Sequence, residues 1–464
     1  MALSFNSGGR HKHLPPGPRP YPVIGNLLEL GGKPHKSLAK LAKTHGPIMS
    51  LRLGLVTTVV VSSPSTAKAI LKEHDSLSCD RKVPESILSQ PYRHHEFSLV
   101  WLPVSTLWRS YRKMCNMHIF TSQKLDASQD LRRKKIKDLL AYVEENCRAG
   151  KAIDFGQAAF NTSINLLSNT IFSIDLVHPN ERKFKDTVWG MMEEAGKPNL
   201  SDHFPLLKKL DLQGIRRRNT LYAGKMFEVL DRLIDQRLKK RQEHGCSIST
   251  ESKDIENCKL INRVHIQDLL IAGNDTASIT MEWAMAELLH NPEALSKVKL
   301  ELEQTVGKGN PIEESDITRL PYLQAVIKET FRLHPTVPLL VPRKVSEDLE
   351  IEGFVVPKGA QVFVNVWAIG RDESIWDNPH SFMPERFLGS DVEFKGQHFE
   401  LIPFGAGRRI CPGLPLAIRM LYLMLGSLIN SFDWKLENED MDMEEKFGLT
   451  IKKAQPLRTI PIAI

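Results

Sequence analysis

Pro403-Phe404-Gly405-Ala406-Gly407-Arg408-Arg409-Ile410-Cys411-Pro412-Gly413 sets one cysteine among three glycines and two prolines, just ahead of an apolar helical segment that begins at Leu414. Glycines let a backbone approach a flat ligand closely and turn its N–H groups toward a sulfur. A cysteine at a helix N-terminus, beside Arg408 and Arg409, is expected to have a lowered pKa. The thiolate would suit an iron ligand or a nucleophile; the bland alternative is a buried structural thiol. Cys79, Cys115, Cys147, Cys246 and Cys258 are widely spaced, with no CxxC pair, and read as structural thiols in a reducing compartment.

Outward from this loop the chain reads as mainly helical between about residues 105 and 345, with apolar residues three and four apart at 131–144 and 222–241. Residues 242–262 read as a polar connection. The β-branched stretch 48–63 around Gly54 predicts a hairpin, and Ser63-Pro64-Ser65 predicts a helix start. Short β-rich runs are expected at 349–356 and 361–366, and a last pair of strands at 447–452 and 457–462. Leu14-Pro15-Pro16-Gly17-Pro18-Arg19-Pro20 reads as a stiff, extended linker. No internal repeat is visible, so the expectation is one large, mainly α fold with minor β-sheets.

Composition narrows the function. The 464 residues carry 62 Lys+Arg against 55 Asp+Glu, a net charge of +7, with 41% hydrophobic and 25% charged residues. That balance excludes disorder, collagen and coiled coil. The surplus of charge is too dilute to argue for nucleic acid, though a local basic patch for an acidic partner remains open. No apolar run approaches the ~18 residues that span a bilayer, and the first thirteen residues lack a signal-peptide core, so the chain as given reads as soluble.

Five motifs together resemble the cytochromes P450. Phe404, Gly407, Arg409, Cys411 and Gly413 fit the FxxGxRxCxG haem signature. Glu329 to Arg332 matches ExxR, Pro384 to Phe387 matches PERF, Trp108 to Arg112 matches WxxxR, and Ala272-Gly273-Asn274-Asp275-Thr276 matches the oxygen-activation motif. The resemblance implies the P450 fold: a polar N-terminal segment over 1–13 where the membrane anchor is absent or replaced, a proline-rich hinge over 14–22, and a haem domain over 23–464. It implies haem b with Cys411 as axial thiolate, which pushes electron density toward iron. Phe404 and Gly405 would lie beside the sulfur. Trp108, Arg112, Arg343 and Arg409 would contact the propionates, for which guanidinium groups are suited. Glu329, Arg332 and Arg386 would form a buried, fold-locking network. Ala272 and Gly273 would make room for dioxygen, Gly273 by a local widening of the helical ladder. Asp275 and Thr276 would deliver protons to it. The Asn161 and Asn274 sequons are set aside, because the family faces the cytosol. Compared with the family, about four residues are missing between His265 and Ala272, close to one helical turn, so the facing of later residues is nearly kept.

Finer similarity points to the plant microsomal family 76, in its geraniol 8-hydroxylase-like branch, carried by segments such as Ala195-Gly196-Lys197-Pro198-Asn199-Leu200. That implies an apolar pocket drawing on Val100, Val104, Leu269, Ala272, Gly273, Val337, Leu339, Leu340 and Leu449. The reaction expected is hydroxylation of a monoterpene alcohol such as geraniol at C8. Diterpenoid or phenolic and flavonoid oxidation are the alternatives, as is a non-catalytic haem protein. A P450 that rearranges a pre-oxidised substrate commonly has a degraded acid–alcohol pair, whereas Asp275 and Thr276 are intact. Electrons would come from NADPH through an NADPH–cytochrome P450 reductase docking on Arg109, Lys113 and Arg408. Arg132-Arg133-Lys134-Lys135 and Arg216-Arg217-Arg218 read as solvated helix faces. The native protein is expected as a monomer on the cytosolic face of the endoplasmic reticulum membrane.

Overall fold

The computed structural model describes residues 13–178, 182–243, 252–438 and 440–464, with side chains described at all of these except 237, 238, 240–243 and 252–262. The expectations for the N-terminal segment up to residue 12, for Cys246 and for the Cys258 thiol therefore fall outside the described residues.

The core is built on a central helix, Ser252–His290. From Val264 to Leu288 most of its side chains are buried, because helices Phe155–Phe172, Pro321–Leu333 and Leu414–Ser431 all pack on it. Trp283, Met285, Phe160 and Leu425 are fully enclosed there. Such a helix shows no single apolar stripe, as expected when it is covered all round. Its first eleven residues were read as part of a polar connection over 242–262. In fact helix Ile215–Glu243 runs to Glu243 and the central helix begins at Ser252. Charged and polar residues there satisfy a helix as readily as a loop, and the packing of the following turns extends it.

Five strands form the largest sheet, in the order β1-β2-β8-β5-β3: β1 Ile48–Leu53, β2 Val56–Val61, β3 Asp80–Arg81, β5 Arg343–Lys344 and β8 Gln361–Val364. The hairpin turns at Gly54, whose φ of 59° is left-handed. β2 runs parallel to β8, which brings residues 58–61 beside 361–364. The expected helix start has its capping box: Ser63 Oγ accepts from the Thr66 N–H at 3.3 Å and the Ser63 N–H donates to Thr66 Oγ1. β4 Ile153–Asp154, β12 Arg458–Ala463 and β9 Phe432–Leu436 form a second sheet. Two small hairpins complete the set, β6 Leu349–Ile351 with β7 Phe354–Val356, and β10 Glu445–Lys446 with β11 Lys452–Lys453.

Three expectations need correction. Residues 447–451 are the loop between β10 and β11, not a strand, and β12 pairs with β9 and β4 rather than with that segment. The proline segment, expected as a stiff, extended linker, lies against β1: Ser50 donates its N–H to Pro16 O at 2.8 Å and its hydroxyl to Pro15 O at 2.6 Å. The Arg132-Arg133-Lys134-Lys135 cluster is only half solvated, with Arg133 and Lys134 exposed as expected and the other two residues not. Arg132 is fully buried against Glu314 at 2.6 Å, and Lys135 is buried against Asp175 at 2.5 Å. Lastly, Leu414–Ser431 is long and apolar enough to cross a membrane, yet most of it is inside the protein core.

Candidate active site

The cysteine loop is shaped by backbone. Gly405 and Gly407 have φ of 69° and 67°, and a Cβ on Gly407 would sit 2.0 Å from the Leu71 carbonyl oxygen. The Cys411 N–H donates to Phe404 O at 3.0 Å, closing the loop. Phe404 packs edge-on against Phe331, with centroids 5.2 Å apart. Cys411 as a residue is partly exposed, just before the Leu414–Ser431 helix, with its thiol on the desolvated side.

Burial pushes that thiol up, against the opposing pull of the Gly413 and Leu414 backbone and the Arg112 charge. This overturns the lowered pKa expected from helix position and from Arg408 and Arg409. Desolvation of the thiolate outweighs the helix terminus, and the cation that acts on the sulfur is Arg112. A coordinated thiol would be deprotonated outright by its metal.

Four side chains expected on one ligand do converge beside this loop. Arg112 Nη1 donates to Ile410 O at 2.5 Å. Arg409 donates to the carbonyls of Cys79 at 2.9 Å, Leu99 at 3.1 Å and Leu102. Trp108 Nε1 also donates to Leu99 O, at 3.0 Å, with the Arg409 guanidinium 4.8 Å above its ring. Arg343, almost fully buried, pairs with Asp75 Oδ1 at 3.0 Å. Sequence reading missed Asp75. Its second oxygen accepts the Arg408 N–H at 3.1 Å, so one carboxylate ties the cysteine loop to β5. Its partners lie more than 250 residues away, and no local spacing announces it.

Behind the loop, Glu329 is fully buried and holds Arg332 with two bonds of 2.7 Å. The same carboxylate accepts from Arg386 Nε at 3.0 Å and the Met383 N–H at 2.8 Å. Arg332 adds the Gly370 and Pro379 carbonyls, both at 2.6 Å. All three members expected in this network are thus brought together.

On the central helix, Ala272 and Gly273 are exposed between buried neighbours. The expected widening of the helical ladder is not formed at these residues. The helix runs on unbroken, with Thr276 Oγ1 donating to Ala272 O at 2.8 Å. A Cβ on Gly273 would lie 3.1 Å from Leu167 Cδ1, tighter than an ordinary contact. Asp275 is buried and accepts from Thr450 Oγ1 at 2.7 Å. Burial pushes its carboxyl up, while that hydrogen bond and the charges of Lys452 and Lys185 pull it down.

Of the pocket residues expected, Leu339, Leu340 and Leu449 line one cavity, joined by Leu38, Phe363 and Phe447. Leu340 also reaches the cysteine loop, its Cδ1 3.8 Å from the Cβ position of Gly405. Val100, Val104, Leu269, Ala272, Gly273 and Val337 are not in that lining. Val104 packs near Trp108, and Leu269 packs on the main core. Leu38, on helix Pro34–His45, and Phe363, on β8, were missed because only the tertiary fold brings them to the same cavity. At its polar end, burial pushes Asp202 up to about 6 and His203 down to about 4.

A cytochrome P450 family profile matches residues 15–458. The chain belongs to the cytochrome P450 family. It is 53% identical over 477 aligned residues to geraniol 8-hydroxylase of Swertia mussotii, covering 99% of this chain and 95% of the relative. Identity to geraniol 8-hydroxylase of Catharanthus roseus is also 53%, over 97% of this chain and 94% of that one. Drimenol monooxygenase of Persicaria hydropiper is 49% identical over 100% and 95%. This P450 is therefore a monooxygenase that uses a haem-thiolate iron cofactor and electrons from a reductase.

The residues present fit that cofactor. Among the described residues no three His, Cys, Asp or Glu side chains cluster as a metal site. A single thiolate is the protein ligand that thiolate-ligated haem iron takes, the macrocycle supplying the others. Arg112 and Arg409 have no ion pair with a carboxylate among the described residues, although burial leaves both poorly solvated and pulls Arg409 down to about 10. Both remain cations at neutral pH, suited to the carboxylates of a porphyrin.

Proposed function

We propose that this P450 hydroxylates a small apolar terpenoid, most specifically a monoterpene alcohol such as geraniol at C8. The observation that supports this reading best is the cavity walled by Leu38, Leu339, Leu340, Phe363 and Leu449, which reaches the cysteine loop through Leu340. Such walls select by shape and apolarity. The relatives named for geraniol hydroxylation span nearly the whole chain.

In this reading Cys411 would hold the haem iron through its thiolate, and Trp108, Arg112, Arg343 and Arg409 would receive the haem carboxylates. Haem, when bound, supplies oxygen activation and one-electron chemistry. The chain's own groups do the rest. The apolar walls hold the substrate and exclude water, Phe404 shields the sulfur, and Asp275 with Thr276 moves protons to the reacting oxygen. The Glu329 network keeps the cysteine loop in place. The native protein acts as a monomer on the cytosolic face of the endoplasmic reticulum, with Arg109, Lys113 and Arg408 receiving the reductase.

The test begins with the carbon monoxide difference spectrum of the reduced protein. Thiolate ligation gives the red-shifted band, and Cys411→Ser abolishes it. A panel of terpenols is then incubated with reductase and NADPH, with geraniol expected to yield its 8-hydroxy product. A normal band with no terpenol product, but oxidation of a diterpenoid or phenol, overturns the substrate assignment.

A further inference from the structure

We propose that Thr450 is a positioning residue for Asp275, and that through it the loop roofing the substrate pocket governs how tightly oxygen reduction is coupled to hydroxylation. The inference rests on the reading that Asp275 moves protons to oxygen.

Thr450 sits in the loop between β10 and β11 and is 2% exposed. Its hydroxyl donates to Asp275 Oδ2 at 2.7 Å. No other side chain among the described residues hydrogen-bonds that carboxylate. The loop is pinned on either side of Thr450. The Leu449 N–H donates to Met192 O, and the Ile451 N–H to Thr336 O, both at 2.8 Å. Leu449 lines the cavity. A ligand pressing on Leu449 is therefore one peptide unit away from the hydroxyl that aims the Asp275 carboxyl. Proton transfer requires alignment of donor and acceptor, so a carboxyl that loses this bond delivers its proton less reliably.

The balance of the reaction makes this measurable. In the coupled reaction O2, two electrons from NADPH through the reductase and two protons convert R–H to R–OH and water. When the protons are misdelivered, the same two electrons and two protons leave with both oxygen atoms as hydrogen peroxide. NADPH consumption continues while product falls.

The experiment compares the holoenzyme with Thr450→Val, Thr450→Ser and Asp275→Asn, each checked for haem loading by its carbon monoxide spectrum. With reductase, NADPH and geraniol, Thr450→Val is expected to lower product per NADPH about two- to tenfold, the scale of one lost hydrogen bond, with peroxide rising to match. Thr450→Ser retains the hydroxyl and restores coupling. Asp275→Asn uncouples as well, and adding Thr450→Val to it changes little. Independently of turnover, denaturant unfolding of the two single variants and the double variant is expected to be non-additive. Additive unfolding energies overturn the proposal whether or not geraniol is a substrate. So does wild-type coupling in Thr450→Val while Asp275→Asn uncouples. Should Asp275→Asn remain coupled, the reading of Asp275 itself fails and the proposal falls with it.

Discussion

Glu329 has no exposed surface, yet its carboxylate faces two guanidinium groups and a backbone N–H. Glu329→Gln keeps the shape and removes the charge, leaving Arg332 buried without its counterion. Breaking such a pair costs ~3–5 kcal/mol. The variant should show a large drop in unfolding midpoint and little haem-thiolate signal in the carbon monoxide spectrum. His203 offers a titration instead. Burial holds its imidazole neutral down to about pH 4, whereas an unfolded chain protonates it near 6.5. The unfolded state therefore binds more protons in that window, and His203 withdraws stability as pH falls from about 6.5 to about 4. His203→Gln should flatten that part of the melting-temperature profile, most clearly when set beside Asp202→Asn. Asp202, pushed up to about 6, contributes the opposite slope. The Glu329–Arg332 spacing of three was legible in the sequence because it fixes one helix face. Asp75 was not, since only the folded chain brings β5 and the cysteine loop to it.

At the scale of elements, turns were more legible than strands. The hairpin at Gly54 and the capping box at Ser63 are written in consecutive residues and need no tertiary information. Residues 447–451 mislead because Phe447, Leu449 and Ile451 alternate with Gly448 and Thr450 as they would in a strand. Their backbone donors nevertheless go to Met192 O and Thr336 O, and a segment bonded to a helix and a loop cannot also extend a ladder. The cysteine loop shows the converse, with its glycines placed by necessity. Gly407→Ala would force a side chain into left-handed backbone, costing about 1–2 kcal/mol, and would add a clash with the Leu71 carbonyl. The expected outcome is reduced haem retention, read from the ratio of Soret to protein absorbance after purification.

For the whole molecule, the mainly α architecture followed from helical periodicity and a modest share of β-branched runs. The order of the five-stranded sheet did not, because β2 ends at Val61 and β8 begins only at Gln361, with most of the helices and five other strands between them. Arg109, Lys113 and Arg408 are exposed on the surface, with Arg408 near the Asp75 carboxylate at 3.6 Å. If these residues receive an acidic reductase, Arg109→Glu and Lys113→Glu should slow electron transfer and weaken its dependence on ionic strength, measured by stopped flow across a salt series. The Arg408→Glu effect should be smaller, because Asp75 already offsets part of that charge.

Gly196 ends a helix directly against the loop that carries Leu449, so closely that a Cβ would fall 2.0 Å from the Gly448 carbonyl carbon and the Leu449 nitrogen. Geometry leaves this position no freedom: no side chain fits there without moving the wall of the cavity. If this cavity takes the substrate, new preferences would arise at its neighbours, such as Ala195 and Leu449, which already line it. A diversified library that spends codons on 196 will return mostly unfolded clones, and one that leaves it as glycine keeps the scaffold on which other changes accumulate.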